Sequence, residues 1–165
     1  MKTPPELFVI AGPNGAGKTT FSPTAAAIQA GRIMLDRIEE LSTQRHTFAF
    51  ETTLSGRSYL SLFKKLRAGG YRIHLIFLWL PRVELAIQRV KERVHRGGHS
   101  VPEQDVRRRF DRGIKNLLTE YHVLADTWGL FDNSGSQPRP IAKAKDGIIE
   151  RIDAPLFEKI QEGLK

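Results

Sequence analysis

The 165-residue sequence contains no cysteine, so neither disulfide bonds nor thiolate metal ligands are available to it. Long apolar runs are also missing. The longest, Leu75 to Leu80, is far shorter than the roughly 20 residues that a membrane-spanning helix needs. The residues from Met1 to Glu6 lack the features of a secretory signal. We therefore expect a cytoplasmic protein of a reducing compartment, without a membrane partner.

Acidic residues are scarce relative to basic ones, with 18 against 26, a formal net charge of +8 and a pI near 10.0. This excess favours anionic partners but does not choose among nucleotide, nucleic acid and phosphosugar. Half of it lies between Arg82 and Arg112, where nine basic residues accompany five acids. One interpretation is a solvated helical face with ion pairs along it. The other is a phosphate-binding lid over about 89–112, hinged at Gly97-Gly98.

One motif stands out, the stretch GPNGAGKT from Gly12 to Thr19, which matches the phosphate-binding pattern G-x-x-x-x-G-K-[ST]. It follows the apolar run Leu7–Ala11, so it stands where a strand passes into a helix. Glycines let backbone N–H groups turn toward an anion, the lysine reaches the terminal phosphates, and the threonine hydroxyl binds Mg²⁺. The sequence therefore predicts a phosphate-binding site with Mg²⁺ beside it and Thr19 as metal ligand. The predicted nucleotide-binding residues are Gly12, Pro13, Asn14, Gly15, Ala16, Gly17, Lys18, Thr19 and Thr20, with Asn133 beside the adenine.

Elsewhere the apolar pattern alternates between strands and helices, which predicts an α/β P-loop domain with a mainly parallel sheet flanked by helices, over 1–165. Pro23 interrupts the helix that begins at Lys18. Ser100 and Glu103 form a capping-box pattern at the start of a later helix. Predicted strands cover 47–53, 71–80, 127–132, 139–144 and 147–152; predicted helices cover 24–45, 58–68, 83–96, 102–118 and 155–164.

The strand over 47–53 ends in polar residues, Glu51, Thr52 and Thr53. Ligands of open α/β sheets bind beyond the carboxyl ends of the strands, so these side chains are predicted to lie near the phosphate loop. The alternative is a strand that merely runs into a polar turn. With Arg57, they form the predicted substrate set.

The phosphate loop alone also suits a transport ATPase of the ABC type. Such a protein needs a downstream LSGGQ-like signature, and the stretch from Thr53 to Arg57 only begins like one. No apolar strand ends in Asp-Glu, as that class also requires. This interpretation is therefore set aside.

Several stretches together resemble the zeta-toxin-like family of small kinases: GPNGAGKTT, FETTLSGRSYL at 50–60, GYRIHLIFLWLP at 70–81, the arginine-rich stretch at 89–110 and LFDNSG at 130–135. The resemblance implies a P-loop kinase fold, ATP with Mg²⁺, and phosphoryl transfer to the sugar 3′-hydroxyl of UDP-N-acetylglucosamine. It also implies a small-molecule acceptor and an antitoxin protein partner. By position, Lys18 and Thr19 match nucleotide and metal residues, Glu51 matches the acid that holds the acceptor, and the lid arginines are Arg89, Arg93 and Arg108. The predicted catalytic set is Lys18, Glu51, Arg89, Arg93 and Arg108.

One departure concerns the general base. The family typically has a further strand, after the phosphate-loop helix, that ends in an Asp acting as base, and no such residue is present here. We hypothesise that residues are missing between Phe21 and Ser22, which leaves Glu51 as the candidate base. The alternative function is an ATP-binding module, or an inactive relative held by an antitoxin. A kinase of nucleic-acid ends is a third hypothesis, although we do not expect a nucleic-acid partner.

Overall fold

A six-stranded sheet forms the centre of the computed structural model, which describes residues 3–21 and 31–164. The strand order is β2-β1-β3-β4-β5-β6, in which the first four strands pair in parallel, β5 pairs antiparallel with β4, and β6 pairs antiparallel with β5. The prediction of an α/β fold with a mainly parallel sheet is confirmed. The strands are β1 (Glu6–Ala11), β2 (Phe48–Thr52), β3 (Arg72–Trp79), β4 (Thr127–Asp132), β5 (Arg139–Lys145) and β6 (Ile148–Arg151).

Strand β3 lies between β1 and β4, as its unbroken apolar sequence predicts. Leu75 and Phe77 are buried on one face of the sheet, and Leu78 is buried on the other. Helices therefore cover both faces. They are α1 (Lys18–Phe21), α2 (Gly31–Thr43), α3 (Ser58–Ala68), α4 (Val83–His95), α5 (Glu103–Asn116) and α6 (Ala154–Glu162).

Helix α5 contributes to both hydrophobic clusters, Val106 to one and Ile114 to the other. Its Gly113 meets the end of β2, since a Cβ built there would lie 2.5 Å from the Thr53 carbonyl oxygen. The helix thus passes over the carboxyl edge of the sheet. It continues into a π-helical turn, Leu117–Tyr121, and a short 3₁₀ turn, His122–Leu124.

The predicted capping box at Ser100 and Glu103 is wrong. Helix α5 begins at Glu103 with Pro102 in the cap position, and no side chain caps it. The Glu103 carboxylate instead accepts a hydrogen bond from Arg107 at 2.8 Å, one turn along the helix. The Glu103 carboxylate, which a capping box requires, is therefore engaged in an ion pair within the helix.

Helix α1 begins at Lys18 as predicted, and α2 falls within the predicted 24–45. The interruption at Pro23 and the hypothesised gap between Phe21 and Ser22 lie outside the described residues. No helix within 3–21 or 31–164 is long and apolar enough to cross a bilayer.

Candidate active site

The loop between β1 and α1 requires its glycines. Gly12, Gly15 and Gly17 have φ values of +146°, +80° and +87°, in the region that L side chains rarely adopt. A Cβ at Gly12 would lie 2.4 Å from the Leu78 carbonyl oxygen, and one at Gly15 would lie 2.5 Å from that of Ala86. The loop is therefore packed tightly between the end of β3 and helix α4.

Hydrogen-bonding groups of this loop are open to a ligand. The Ala16 N–H donates to the Pro13 carbonyl at 3.1 Å, whereas the N–H groups of Gly15 and Gly17 meet no acceptor in the described part of the chain. The side-chain oxygen of Asn14 is buried and has no partner among the described residues. Successive backbone donors in such a turn form an anion-binding concavity. The loop thus fits a phosphate chain.

Lys18 closes over the loop. Its ammonium donates to the carbonyl oxygens of Gly12 and Pro13, at 2.9 and 3.0 Å. Burial lowers the pKa of Lys18 to about 8; the Glu51 carboxylate opposes this shift and the Arg93 guanidinium adds to it. A phosphate chain beside the ammonium favours its charged form. A bound phosphate chain would therefore offset the effect of burial on the Lys18 ammonium.

Glu51 stands beside the loop because β2 pairs with β1 in parallel, with Glu51 opposite Ile10. Its Oε2 accepts a hydrogen bond from the Thr19 hydroxyl at 3.1 Å. Its Oε1 is buried and has no hydrogen-bond partner within the described ranges. The Oε2 carboxylate oxygen and the threonine hydroxyl beside it form an oxygen donor set that suits Mg²⁺. No cluster of three His, Cys, Asp or Glu residues occurs in residues 3–21 and 31–164, and Mg²⁺ sites beside phosphates often use only one or two protein oxygens.

The turn after β4 contacts the loop directly. The Asn133 side-chain amide donates to the Ala16 carbonyl at 2.6 Å, and a Cβ at Gly17 would lie 2.8 Å from the same nitrogen. The Asn133 backbone N–H donates to the Trp79 carbonyl at 3.0 Å. Asn133 therefore joins the phosphate loop to the ends of β3 and β4.

Asp132 fixes this turn from the β5 side. Although burial by itself raises the pKa of Asp132, hydrogen bonds from Ser134 and Arg139 outweigh it and hold that pKa below its usual value. The Ser134 N–H donates to one carboxylate oxygen at 2.9 Å, and Arg139 donates to the other at 2.7 Å. The turn thus has a charged anchor on β5.

The three predicted lid arginines have different surroundings. Arg89 donates to two backbone carbonyls of the turn after β4. Arg93 donates to the His99 carbonyl at 2.9 Å and is close enough to Lys18 to lower the pKa of its ammonium. Arg108 is half-exposed and pairs with Asp105 at 2.8 Å. Arg89 thus lies at the turn that contacts the loop and Arg93 lies within electrostatic range of Lys18, whereas the described contacts of Arg108 are within α5.

Of the predicted substrate residues beyond Glu51, the two threonines make local contacts, whereas Arg57 pairs with a residue far along the chain. The Thr52 hydroxyl accepts from the Leu54 N–H at 3.0 Å, and the Thr53 hydroxyl lies 2.8 Å from that of Ser55. Arg57 is exposed and pairs with Glu120 at 2.7 Å. These residues line or follow the turn that ends β2, beside the phosphate loop.

The sequence analysis did not predict the side-chain hydrogen bonds that stabilise the turn after β2. Leu54 is fully buried yet has φ of +56°, a costly conformation for a bulky side chain. The Asn116 amide donates to the Leu54 carbonyl at 2.8 Å, and the Tyr121 hydroxyl donates to the Gly56 carbonyl at 2.7 Å. A local sequence pattern cannot predict hydrogen bonds between residues that are more than 60 positions apart. The end of α5 and the π-helical turn thus stabilise the strained segment next to Glu51.

A mostly apolar cavity of about 300 Å³ lies between α4 and α5. Its lining includes Val90, Val94 and Val106, and it contains none of the residues of the phosphate loop. Along α4 the cavity runs from Ile87 to His95, and Ala86, which contacts the loop, does not line it. This cavity is therefore separate from the candidate site.

A parallel sheet, a glycine loop after its first strand and a lysine closing that loop together define a P-loop fold of the kinase-like type. Solved structures share it. The crystal structure of AvrRxo1-ORF1:-ORF2 with ATP superimposes with a TM-score of 0.75 at 16% identity, covering 94% of this chain and 63% of the matched chain. The PezAT chromosomal toxin-antitoxin system of the human pathogen Streptococcus pneumoniae has a TM-score of 0.58 at 13% identity, covering 97% of this chain and 86% of that chain.

In sequence, an uncharacterized protein of Haemophilus influenzae is 35% identical over 89 residues, which are 54% of this chain and 64% of that protein. No family model matches the chain. The chain spans less than two thirds of the length of the Haemophilus protein and of the AvrRxo1 chain. The resemblance to zeta-toxin-like kinases is confirmed at the level of the fold.

Proposed function

We propose that this protein is an ATP-dependent and Mg²⁺-dependent kinase that transfers the γ-phosphoryl group to a hydroxyl of a small molecule. The observation that carries the proposal is the meeting of Lys18, Thr19 and Glu51 at one edge of the sheet. The ATP-bound AvrRxo1 structure, which has the same fold, supports the choice of nucleotide.

The roles follow from the contacts. The Gly15 and Gly17 amides and the Lys18 ammonium bind the phosphate chain, and Lys18 leaves the loop carbonyls to do so. Thr19 and Oε2 of Glu51 would hold Mg²⁺, which, when bound, supplies positive charge to the transferring phosphoryl group. Catalysis of this reaction consists mainly of positioning and charge stabilisation, which is what these residues provide.

Glu51 also serves as the base. The acceptor hydroxyl oxygen bonds to the γ-phosphorus, the bond from that phosphorus to the bridging oxygen breaks, ADP leaves, and the hydroxyl proton passes to Glu51 Oε1. The buried, unpartnered state of Oε1 among the described residues fits this role. No acidic residue occurs between Glu6 and Asp36 in the sequence, so the phosphate-loop helix and the residues after it provide no competing base.

Arg93 neutralises the charge that spreads over the transferring group. Its electrostatic effect on Lys18 supports a guanidinium within range of the phosphates. We further propose that α4 and α5 form the lid over about 89–112, with Arg108 swinging from Asp105 toward the nucleotide when the lid closes.

For the acceptor we propose a nucleotide sugar resembling UDP-N-acetylglucosamine. The support is the sequence resemblance to the zeta-toxin-like family. The PezAT toxin-antitoxin system, which shares the fold, supports an antitoxin protein as partner. Thr52 and Thr53, at the end of β2, would contact the acceptor beside Glu51.

Incubation of the purified chain with γ-labelled ATP, Mg²⁺ and a panel of acceptors tests the proposal. Label on a nucleotide sugar, absent in Glu51→Gln, is the expected result. Label on an oligonucleotide would replace the acceptor by a nucleic-acid end. Absence of label from every acceptor, with ATP bound, would favour the second candidate.

That second candidate is an ATP-binding module or inactive toxin relative held by an antitoxin. One observation favours it: Glu51 is shared between the Thr19 hydroxyl and the acceptor position, so a single carboxylate must perform two tasks. ATP binding that changes affinity for a protein partner, without turnover, distinguishes it from the kinase.

A further inference from the structure

Arg89 is bound to the protein itself at two points. One guanidinium nitrogen donates to the Asn133 carbonyl at 2.7 Å and the other donates to the Ser134 carbonyl at 2.8 Å. Such a two-pronged bond uses the planar, forked geometry of arginine, which lysine cannot reproduce. Arg89 is also half-buried, unlike the exposed Arg93 four residues later on the same helix.

The segment that Arg89 grips is the one that touches the phosphate loop. The Asn133 carbonyl accepts a hydrogen bond from Arg89, and the Asn133 side-chain amide donates to the Ala16 carbonyl at 2.6 Å. Close packing restrains it further, because a Cβ at Gly17 would lie 2.8 Å from the amide nitrogen. A shift of the turn would therefore be transmitted to the loop at Ala16.

The opposite side of the turn has its own anchor. Asp132 bonds to Arg139 on β5 and to the Ser134 N–H, so the turn is held between two arginines on different elements. Helix α4 also contacts the loop through Ala86, one turn before Arg89. Arg89 thus sits where α4, the turn after β4 and the phosphate loop meet.

From this geometry we propose that Arg89 is a positioning residue for the nucleotide site, acting through Asn133 on the phosphate loop, and not a clamp on the transferring phosphoryl group. Both terminal nitrogens of its guanidinium donate to main-chain carbonyls. Breaking these bonds would leave the Asn133 and Ser134 carbonyl oxygens without their partner among the described residues. The charge on the transferring group then falls to Arg93 and Lys18. The kinetic part of this inference rests on the proposed kinase activity, whereas its structural part does not.

Amide hydrogen exchange in the nucleotide-free protein tests the structural part. Arg89→Lys keeps the charge but loses the forked pair of hydrogen bonds, and we expect the Ala16 amide, which donates to the Pro13 carbonyl, to exchange about tenfold faster, the factor that loss of one or two hydrogen bonds implies. Asn133→Ala should show the same acceleration, and the double variant little more. Arg72→Lys, at an exposed arginine at the start of β3 with no side-chain hydrogen bond or ion pair in the described ranges, is the matched control.

Steady-state kinetics separates positioning from clamping. For Arg89→Lys we expect the KM for ATP to rise about tenfold with kcat within about twofold of the parent, because the ground-state cradle is loosened. A fall in kcat of about 100-fold or more with unchanged loop exchange would identify a clamp and overturn the inference.

The same experiments also distinguish failure of this inference from failure of the proposed function. Unchanged loop exchange in Asn133→Ala also overturns the inference, and this variant decides the matter if Arg89→Lys does not fold. If no acceptor is phosphorylated by the parent protein, the proposed function fails, yet the exchange comparison still decides whether Arg89 positions the loop.

Discussion

The Thr19 hydroxyl donates a hydrogen bond to Glu51, 3.1 Å away, although 32 residues separate them in the chain. This contact joins the phosphate loop to the end of the neighbouring parallel strand, so that a carboxylate lies next to the position where a metal-bound phosphate chain would be held. Glu51 keeps one buried oxygen without a partner in the described part of the chain. The candidate chemistry of the site depends on this pair.

Replacement of Glu51 by Gln should lower kcat about 10²-fold to 10⁴-fold, the contribution of a general base. ATP binding should persist, because the Gly15 and Gly17 amides and the Lys18 side chain that bind the phosphate chain are still present. Calorimetric titration with ATP, alongside transfer of label from ATP, measures both. Glu150→Gln is the control, since Glu150 is exposed on β6 and pairs only with Lys143 among the described residues. Equal kcat for the parent and Glu51→Gln would exclude Glu51 as base.

Gly15→Ala should lower the free energy of unfolding by about 1–3 kcal/mol. The new Cβ would lie 2.5 Å from the Ala86 carbonyl oxygen, at a residue whose φ is +80°. Urea denaturation measures the loss. Gly135→Ala should change stability by less than about 0.5 kcal/mol, because no atom of the described residues lies within 4 Å of the position its methyl group would take. Similar losses in the two variants would contradict the tight packing of the loop against α4.

Asn116→Ala should cost about 1–3 kcal/mol, since the Leu54 carbonyl would lose its side-chain partner in a buried turn with strained backbone. Thr119→Ala, on the exposed side of the following π-helical turn, should stay within about 0.5 kcal/mol. Thermal and urea unfolding of both variants provide the comparison. A neutral Asn116→Ala would show that the turn does not need this hydrogen bond.

Tyr121 gives the protein a dependence on alkaline pH. Burial raises the pKa of Tyr121 to about 12, whereas the tyrosine of the unfolded chain titrates near 10. Between these values the folded state binds more protons than the unfolded state, so the free energy of unfolding falls as pH rises from about 10 to 12.

Tyr121→Phe removes this titration together with the bond to the Gly56 carbonyl. At about pH 8 it should be less stable than the parent by about 1 kcal/mol. The difference should shrink above about pH 10, as the parent alone loses this contribution. Denaturation curves at about pH 8, 10 and 11 measure it, and a constant difference across them would contradict the shifted pKa.

Much of the fold was predictable because its signals are local. The bounds of α3 and β4 are those predicted, as apolar spacing, the glycines after α3 and the turn after β4 act within a few residues. The predicted capping box was wrong because a second local interaction competes with it. Its acid had a competing partner, Arg107, on the next helical turn.

The phosphate loop was determined by the sequence itself, since glycines, lysine and threonine within eight consecutive residues set its backbone and its donors. Which distant groups meet that loop was decided only by tertiary structure. The pairing of β1 with β2 brings Glu51 to Thr19, and that of β3 with β4 brings Asn133 to Ala16 across 117 residues. An arginine-rich helix predicts phosphate binding in general. Whether one arginine is free or bound to carbonyls depends on the elements packed beside it, as for Arg89.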